Sequence, residues 1–213
     1  MSYLVKEIFY SLQGEGFHAG RPAVFCRFAG CNLWSGKEAD RHDAACKFCD
    51  TDFVGTDGPQ GGKFATAGEL ASRVAKLWPA VKSRSTRPFV VCTGGEPLLQ
   101  LNSELITAFH REGFEVAVET NGTILPSEGI DWLCVSPKAG VEMVVRSGQE
   151  LKFVFPQKGA DPEKFTLLDF QYFFLQPQDG TDLSRNTKLA VDYVLAHPHW
   201  RLSLQMHKIL EIK

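Results

Sequence analysis

The chain has 213 residues, of which 44% are hydrophobic, and a formal net charge of −2 at pH 7. This length can bury one sizeable core without disulfides or structural metals, so any metal site is expected to serve a function. The balanced charge gives no basic face for a phosphate backbone, and no apolar run reaches membrane-spanning length, so neither a nucleic acid nor a membrane is an expected partner.

Short apolar or aromatic runs alternate with helical patterns along the chain. The predicted strands are Val5–Ser11, Ala23–Phe28, Phe89–Cys92, Glu115–Glu119, Trp132–Val135, Leu151–Phe155, Tyr172–Leu175 and Arg201–Leu204. The predicted helices are Leu70–Trp78 behind a Thr66–Glu69 capping box, Leu98–Arg111 behind Pro97, and Ser184–Leu195 before Pro198. This alternation predicts an α/β fold with a parallel sheet, either open or a partial barrel, and with its chemistry at the carboxyl ends of the strands.

An aperiodic stretch from Gly30 to Lys63 is too long for an ordinary connection. Three of the six cysteines lie in this loop, namely Cys31, Cys46 and Cys49. The other three sit in apolar runs, as small buried hydrophobes do, namely Cys26, Cys92 and Cys134. The N-terminal run lacks the continuous apolar stretch of a signal peptide, so we expect a cytoplasmic protein with reduced thiols. The loop cysteines are therefore candidate metal ligands.

The residues alone allow three interpretations of the loop cysteines. Zinc would bind the three thiolates with His42 as a fourth ligand. A thioredoxin-like pair would use Cys46 and Cys49, although Asp50-Thr51-Asp52 follows where that motif has the start of a helix. A 4Fe-4S cluster held by three thiolates would keep one iron open to a small molecule.

Two neighbouring motifs favour the iron-sulfur cluster. Phe48 directly precedes Cys49, and the strand Phe89–Cys92 runs into Thr93-Gly94-Gly95-Glu96-Pro97. Together they resemble the radical S-adenosylmethionine superfamily. The resemblance implies a single domain over residues 1–213, built as a partial, modified (βα)6-type barrel with an enlarged cluster-binding loop at about 30–63. It also implies a 4Fe-4S cluster whose open iron chelates S-adenosylmethionine, so that electron transfer releases a 5′-deoxyadenosyl radical.

Longer blocks narrow the resemblance to one family. The blocks are Ile8–Gly16, Gly20–Pro22, Phe25–Leu33, Cys49–Asp52, Glu119–Gly122, Val135–Lys138 and Leu202–Lys208. In this order they resemble the 7-carboxy-7-deazaguanine synthase family, some members of which share the fourteen residues between the first two cysteines. The resemblance implies a radical ring contraction of 6-carboxy-5,6,7,8-tetrahydropterin to 7-carboxy-7-deazaguanine with loss of ammonia. This reaction lies on the route to queuosine and other deazapurine nucleosides.

The same resemblance carries roles to particular residues. Those for S-adenosylmethionine are Phe48, Cys49, Asp50, Gly95, Ser136, Pro137, Lys138, Gln176, Pro177, Gln178 and Asp179. Those for the pterin are Leu12, Gln13, Gly14, Glu15, Arg27, Thr93 and, through its terminal carboxylate, Lys213. Thr51 is implied as a ligand of Mg²⁺, an ion that prefers oxygen donors. Without the resemblance, the residues alone would be interpreted differently. Arg27 would be expected to form an ordinary ion pair, and Gln13–Glu15 and Thr51 would be expected to lie in turns.

Two rival functions use the same cysteines. A glycyl-radical activase would share the cluster chemistry but act on a protein, and a zinc-binding module with His42 would have no catalysis. The Gln13–Gly16 run and the C-terminal block favour the deazaguanine synthase. The resemblance further implies an external flavodoxin- or ferredoxin-like electron donor and a homodimer. It leaves open whether His207 is a pocket residue or a surface histidine.

Overall fold

The computed structural model describes residues 2–80 and 87–213, and across them the chain forms one nine-stranded sheet. The strands are β1 (Tyr3–Leu12), β2 (Pro22–Phe28), β3 (Gly62–Phe64), β4 (Phe89–Gly94), β5 (Glu115–Thr120), β6 (Trp132–Val135), β7 (Ser147–Phe155), β8 (Asp169–Pro177) and β9 (Trp200–Leu202). Each predicted strand overlaps one of these. The three residues of β3 are too few to produce a periodic signal, so this strand has no counterpart among the predictions.

The sheet is open, with the strand order β3-β1-β2-β4-β5-β6-β7-β8-β9. From β2 through β4 to β9, neighbouring strands are parallel, as expected. β1 runs antiparallel to both β2 and β3, which departs from the expected parallel arrangement. The reason is the short connection at residues 13–21, because a parallel crossover needs a dozen or more residues. The predicted α/β architecture is confirmed as an open mixed sheet.

The α-helices are α1 (Ala67–Ala75), α2 (Ser103–Arg111), α3 (Leu183–Ala196) and α4 (Met206–Ile209). Helix α1 begins at the predicted capping box, where the Thr66 hydroxyl accepts a 3.2 Å hydrogen bond from the Glu69 N–H. The connections β5–β6, β6–β7 and β7–β8 contain no α-helix, so helices do not alternate with strands in this part of the sheet. None of the helices in the described ranges combines the length and the apolar character needed to cross a membrane.

The helix predicted over Leu98–Arg111 is two elements in the structure. A 3₁₀ turn spans Pro97–Leu99, and α2 starts only after Asn102. The Asn102 side chain accepts a 3.0 Å hydrogen bond from the Leu105 N–H, which satisfies a free donor at the new helix start. The predicted start was wrong because Pro97 opens the short turn and Asn102 caps the helix.

Alternate residues of the parallel strands face different environments. Cys26 points into the large core between the sheet and the helices, whereas Phe25 and Val91 pack on the opposite face. Two residues further along the same face, Arg27 and Thr93 lie side by side in register. This face is therefore apolar toward the amino ends of the strands and polar at their carboxyl ends.

The C-terminal segment after β9 returns to β1 and the loop that follows it. The Met206 N–H donates to the Gly14 carbonyl at 2.9 Å. The Ser11 hydroxyl donates to the Lys213 carbonyl at 2.5 Å. The chain end thus lies beside the polar end of the sheet.

Candidate active site

A cavity of about 360 Å³ opens at the carboxyl ends of the parallel strands. Its wall is built from the cluster loop, the strand ends, the loop after β1 and the C-terminal segment. Every predicted site residue lines this cavity except Pro137. Pro137 is buried behind it, where its carbonyl accepts a 3.1 Å hydrogen bond from Gln157 Nε2. Residues predicted from widely separated segments therefore meet at one place.

The three loop cysteines all border the cavity. A hydrogen bond from the Cys46 thiol lowers the pKa of Cys49 to about 6, against the effect of burial. The same hydrogen bond, together with burial, raises the pKa of Cys46, and burial raises the pKa of Cys31. The described residues hold no group of three ligands tight enough for a single ion. Cluster thiolates bind separate irons and need not converge on one point.

The enlarged cluster loop folds around a small core of its own. The buried members of this core are Trp34, Ala44 and Phe53. Cys31 and Cys49 pack against it. Arg41 lies 3.9 Å from the centre of the Trp34 ring and donates to the carbonyls of Lys47 at 3.0 Å and Cys49 at 3.2 Å. The additional residues between the first two cysteines thus form a packed support for the ligand-bearing turn.

His42 does not complete a zinc site. Its side chain is 74% exposed, and Nε2 lies 2.8 Å from the Asp43 carboxylate. Nδ1 lies 3.1 Å from the Ala39 carbonyl. Because local partners engage both ring nitrogens, the zinc-binding module lacks its fourth ligand.

The glycine pair at the end of β4, Gly94 and Gly95, packs against the start of the cluster loop. A β-carbon on Gly95 would lie 2.0 Å from the Gly30 carbonyl oxygen, so only glycine allows this approach. Glu96, the next residue, is fully buried, and burial raises its pKa. It accepts hydrogen bonds from the Thr120 hydroxyl and the Asn121 N–H, both at 2.8 Å. The glutamate of this motif therefore ties the end of β4 to the end of β5.

Residues predicted for S-adenosylmethionine flank the cysteines. Lys138 Nζ donates to the carbonyl and the hydroxyl of Ser136, each at 2.7 Å. The same ammonium lies 5.7 Å from the centre of the Phe48 ring. Burial lowers the pKa of Lys138, while the neighbouring thiols Cys46 and Cys49 act in the opposite direction. This part of the cavity combines an aromatic face with a positive charge.

Lys208 of α4 bridges two of the predicted cofactor residues. Its Nζ lies 2.5 Å from a carboxylate oxygen of Asp50 and 2.5 Å from one of Asp179. The hydrogen bond from Lys208 lowers the pKa of Asp179. The C-terminal helix is thereby linked to the cluster loop and to the end of β8.

Residues predicted for the pterin converge on Glu119 of β5. Gln13 Nε2 and Thr93 Oγ1 donate to its carboxylate at 3.1 and 3.0 Å. Lys152 Nζ lies 3.3 Å from Glu119 and 2.5 Å from Glu15. Burial alone would raise the pKa of Glu15, but the charge and hydrogen bond of Lys152 hold it at about 2.

Arg27 forms an ion pair and borders the cavity at the same time. Its Nε lies 3.0 Å from the Glu7 carboxylate. Glu7 also pairs with the ammonium of Lys213, which lies 5.0 Å from the centre of the Phe9 ring. Arg27 therefore forms the ion pair expected from the residues alone, and this ion pair does not exclude a role for Arg27 in the cavity.

Five acidic or basic residues of the cavity wall lie outside the predicted set, namely Glu7, Asp52, Glu119, Lys152 and Lys208. Glu119 and Lys152 each interrupt an apolar strand, so an inward-facing charge was readable from the sequence. Lys208 gives no such signal, because α4 is a single short turn near the end of the chain.

The open sheet, the three thiols on the loop after β2 and the glycine pair at the end of β4 define an enzyme of the radical S-adenosylmethionine class. No protein-family model matches the chain. It is 62% identical over 213 residues to the 7-carboxy-7-deazaguanine synthase of Bradyrhizobium diazoefficiens, which covers 100% of both chains. It is 61% identical over 210 residues to that of Caulobacter vibrioides, covering 99% of both. The chain therefore belongs to the 7-carboxy-7-deazaguanine synthase family, which makes it a lyase.

A solved structure supports the same assignment. The crystal structure of QueE from Escherichia coli matches with a TM-score of 0.71 at 26% identity, over 97% of this chain and 95% of that chain. The predicted family is confirmed, and neither the activase nor the zinc-module alternative is supported.

Proposed function

We propose that the chain converts 6-carboxy-5,6,7,8-tetrahydropterin to 7-carboxy-7-deazaguanine with release of ammonia. One observation carries this proposal. The pterin residues implied by the sequence and the three loop cysteines border the same cavity. The full-length identity to synthases of this name supports the same reaction.

In this proposal Cys31, Cys46 and Cys49 hold a 4Fe-4S cluster. The donor set fits, because three thiols border one cavity on a packed loop and the pKa of Cys49 is lowered by its hydrogen bond from Cys46. When bound, the cluster and S-adenosylmethionine supply a 5′-deoxyadenosyl radical that abstracts a hydrogen atom. The chain itself holds the ligands, excludes water and orients the substrate.

S-adenosylmethionine would be held by four segments of the cavity wall. They are Phe48–Asp50, Gly95, Ser136–Lys138 and Gln176–Asp179. The Phe48 ring offers an apolar face, and the glycine lets a ligand approach the backbone closely. The carboxylates of Asp50 and Asp179, both held by Lys208, are acceptors for amine or hydroxyl groups of the cofactor.

The pterin would be bound by charge and by its hydrogen-bonding edge. Arg27 presents a guanidinium suited to the substrate carboxylate. Gln13, Glu15 and Thr93 offer donors and acceptors to the ring nitrogens and the amino group. The terminal carboxylate of Lys213 would add an acceptor, and Leu12 and Gly14 form part of the same wall.

Further parts of the proposal concern Mg²⁺, the assembly and the electron source. Thr51 lies in the cluster loop and borders the cavity, so its hydroxyl could join waters and substrate oxygens around Mg²⁺. We also propose a homodimer that works in the cytoplasm and receives electrons from a flavodoxin- or ferredoxin-like donor.

Anaerobic turnover of the pterin tests the proposal directly. The protein with a reconstituted cluster, supplied with S-adenosylmethionine and reductant, is expected to form 7-carboxy-7-deazaguanine and ammonia in equal amounts. Mg²⁺ should increase the rate in the wild type and have little effect in Thr51→Ala. A protein that carries the cluster and cleaves S-adenosylmethionine but releases neither product would refute the proposed substrate.

A further inference from the structure

Lys152 is a buried cation in the wall of the cavity. Within residues 2–80 and 87–213 it is the only lysine or arginine that is buried, with 6% of its side chain exposed. Burying an ammonium group is costly unless carboxylates compensate its charge. The compensating groups here are Glu15 at 2.5 Å and Glu119 at 3.3 Å.

The two carboxylates come from different parts of the fold and both border the cavity. Glu15 belongs to the loop after β1, and Glu119 belongs to β5. The partners of Glu119 are Gln13 and Thr93, two residues of the proposed pterin site. Lys152 therefore connects the β1 loop directly to β5, and it reaches β4 through the Glu119 carboxylate that Thr93 donates to.

The other titratable groups around Lys152 are weaker partners. Glu150 lies on the same strand and face, but it accepts hydrogen bonds from Trp132 Nε1 at 3.2 Å and the Phe17 N–H at 3.3 Å. Burial raises the pKa of Glu150. Cys134 on β6 also faces Lys152, and burial raises the pKa of its thiol.

His207, which packs against the neighbouring Gly14, also acts to lower the pKa of Glu15. Removal of Lys152 would leave Glu15 and Glu119 as two partly buried like charges, and one of them would then retain a proton at higher pH.

We propose that Lys152 is a positioning residue that keeps the Glu15 and Glu119 carboxylates ionised and at a fixed separation, so that both accept hydrogen bonds from the pterin. The inference rests on the proposed function, and it adds Lys152 as a residue that acts on the pterin through Glu15 and Glu119. Glu119 thereby becomes a further contact for the pterin N–H groups.

The test compares Lys152→Met and Lys152→Arg with the wild type. Lys152→Met is expected to keep its cluster absorbance and its affinity for S-adenosylmethionine, while kcat/KM for the pterin falls at least tenfold at neutral pH. That deficit should shrink as the pH rises, because the protonated carboxylate then ionises. Lys152→Arg keeps the charge and should retain the wild-type pH profile. Lys188→Met, at an exposed position on α3, is the matched control and should change nothing.

A second comparison covers the case in which Lys152→Met does not fold. In a Glu15→Gln background the like-charge conflict is absent, and Lys152→Met should still lower kcat/KM at least tenfold because Glu119 loses its anchor. Equal kcat/KM for Glu15→Gln with and without Lys152→Met would overturn the inference. A folded Lys152→Met with wild-type KM and pH profile would overturn it as well.

Wild-type turnover separates this inference from the proposed function. If the wild type is active and the Lys152 variants match it, only the role of Lys152 fails. If the wild type forms no product, binding of 6-carboxypterin, followed by its fluorescence, replaces kcat/KM as the readout. An unchanged Kd in Lys152→Met then overturns the role of Lys152. A wild type that neither binds nor converts the pterin overturns the proposed function and this inference together.

Discussion

Gly14 and His207 pack so closely that a β-carbon on residue 14 would lie 2.2 Å from His207 Nδ1. The same β-carbon would lie 2.9 Å from the His207 backbone nitrogen, so rotation of the imidazole alone cannot relieve the contact. Both residues border the cavity. His207 is therefore a pocket residue, which the sequence left undecided.

Gly14→Ala is expected to displace the C-terminal segment from the cavity. KM for the pterin should rise on the order of tenfold, since a misplacement of about 1 Å at a binding site can cost this much or more. Amide hydrogen exchange in residues 205–213 should become faster. Gly68→Ala is the control, because a β-carbon there meets nothing within 4 Å and alanine favours helix α1 by about 1 kcal/mol. Unchanged exchange and KM in Gly14→Ala would contradict this view of the contact.

Lys208→Met should weaken the binding of S-adenosylmethionine. The substitution leaves Asp50 and Asp179 without the shared cation that now lies 2.5 Å from each of them. Because the pair is partly exposed, we expect a loss of about 1–2 kcal/mol, or roughly tenfold in Kd measured by calorimetry. The cluster spectrum should not change, since the Lys208 ammonium binds the carboxylates of Asp50 and Asp179 and is not itself a cluster ligand. Lys208→Arg should recover much of the affinity. If Lys208→Met binds S-adenosylmethionine with the wild-type Kd, the bridge between Asp50 and Asp179 has no role in cofactor binding.

Sequence patterns predicted the sheet well because its strands are apolar runs bounded by Gly, Pro and polar residues. They did not predict the start of α2, which depends on a helix cap, or the direction of β1, which depends on the length of a connection. Asn102 starts α2 later than the apolar pattern suggests. The direction of β1 depends on the length of its connection to β2, which strand periodicity does not encode.

The candidate site was predictable residue by residue only where short motifs mark it. The cysteines, the glycine pair and the Gln13–Glu15 run stand out in the sequence, and they meet in the structure. Lys152 interrupts an apolar strand, which marks it as unusual, but the sequence does not identify the carboxylates that compensate its burial. Its pairing with Glu15 spans 137 positions and depends on the tertiary fold.

Cys49→Ala is expected to abolish cluster assembly, whereas His42→Ala should leave it intact. Cys49 packs on the small core of the cluster loop and borders the cavity, while His42 is 74% exposed and engaged by Asp43. The measurement is visible absorbance and iron content after anaerobic reconstitution. Cys92→Ala, which removes a thiol buried in the large core, controls for general loss of thiols. Equal loss of iron in the His42 and Cys49 variants would restore histidine as a ligand.

Glu96→Gln should lower the free energy of unfolding by about 1–3 kcal/mol at acidic pH. An amide nitrogen would replace the oxygen that accepts from the Asn121 N–H, so two donors would face each other in a buried site. Urea denaturation measures the loss, and Glu128→Gln at an exposed loop position is the matched control. A denaturation midpoint identical to that of the wild type would mean that the motif glutamate does not tie β4 to β5.

The pH dependence of this loss distinguishes the buried carboxyl from an ordinary surface acid. Burial raises the folded-state pKa of Glu96 above its usual 4.5, so the folded protein holds this proton more tightly than the unfolded chain. The resulting stabilisation is complete below about pH 4.5 and is lost as the pH rises through the folded pKa. Glutamine does not titrate, so the difference between wild type and Glu96→Gln should be larger near pH 5 than near pH 8. A difference that grows with pH instead would mean that Glu96 is stabilised in its ionised form by its three hydrogen bonds, including the one from the Leu98 N–H at 3.0 Å.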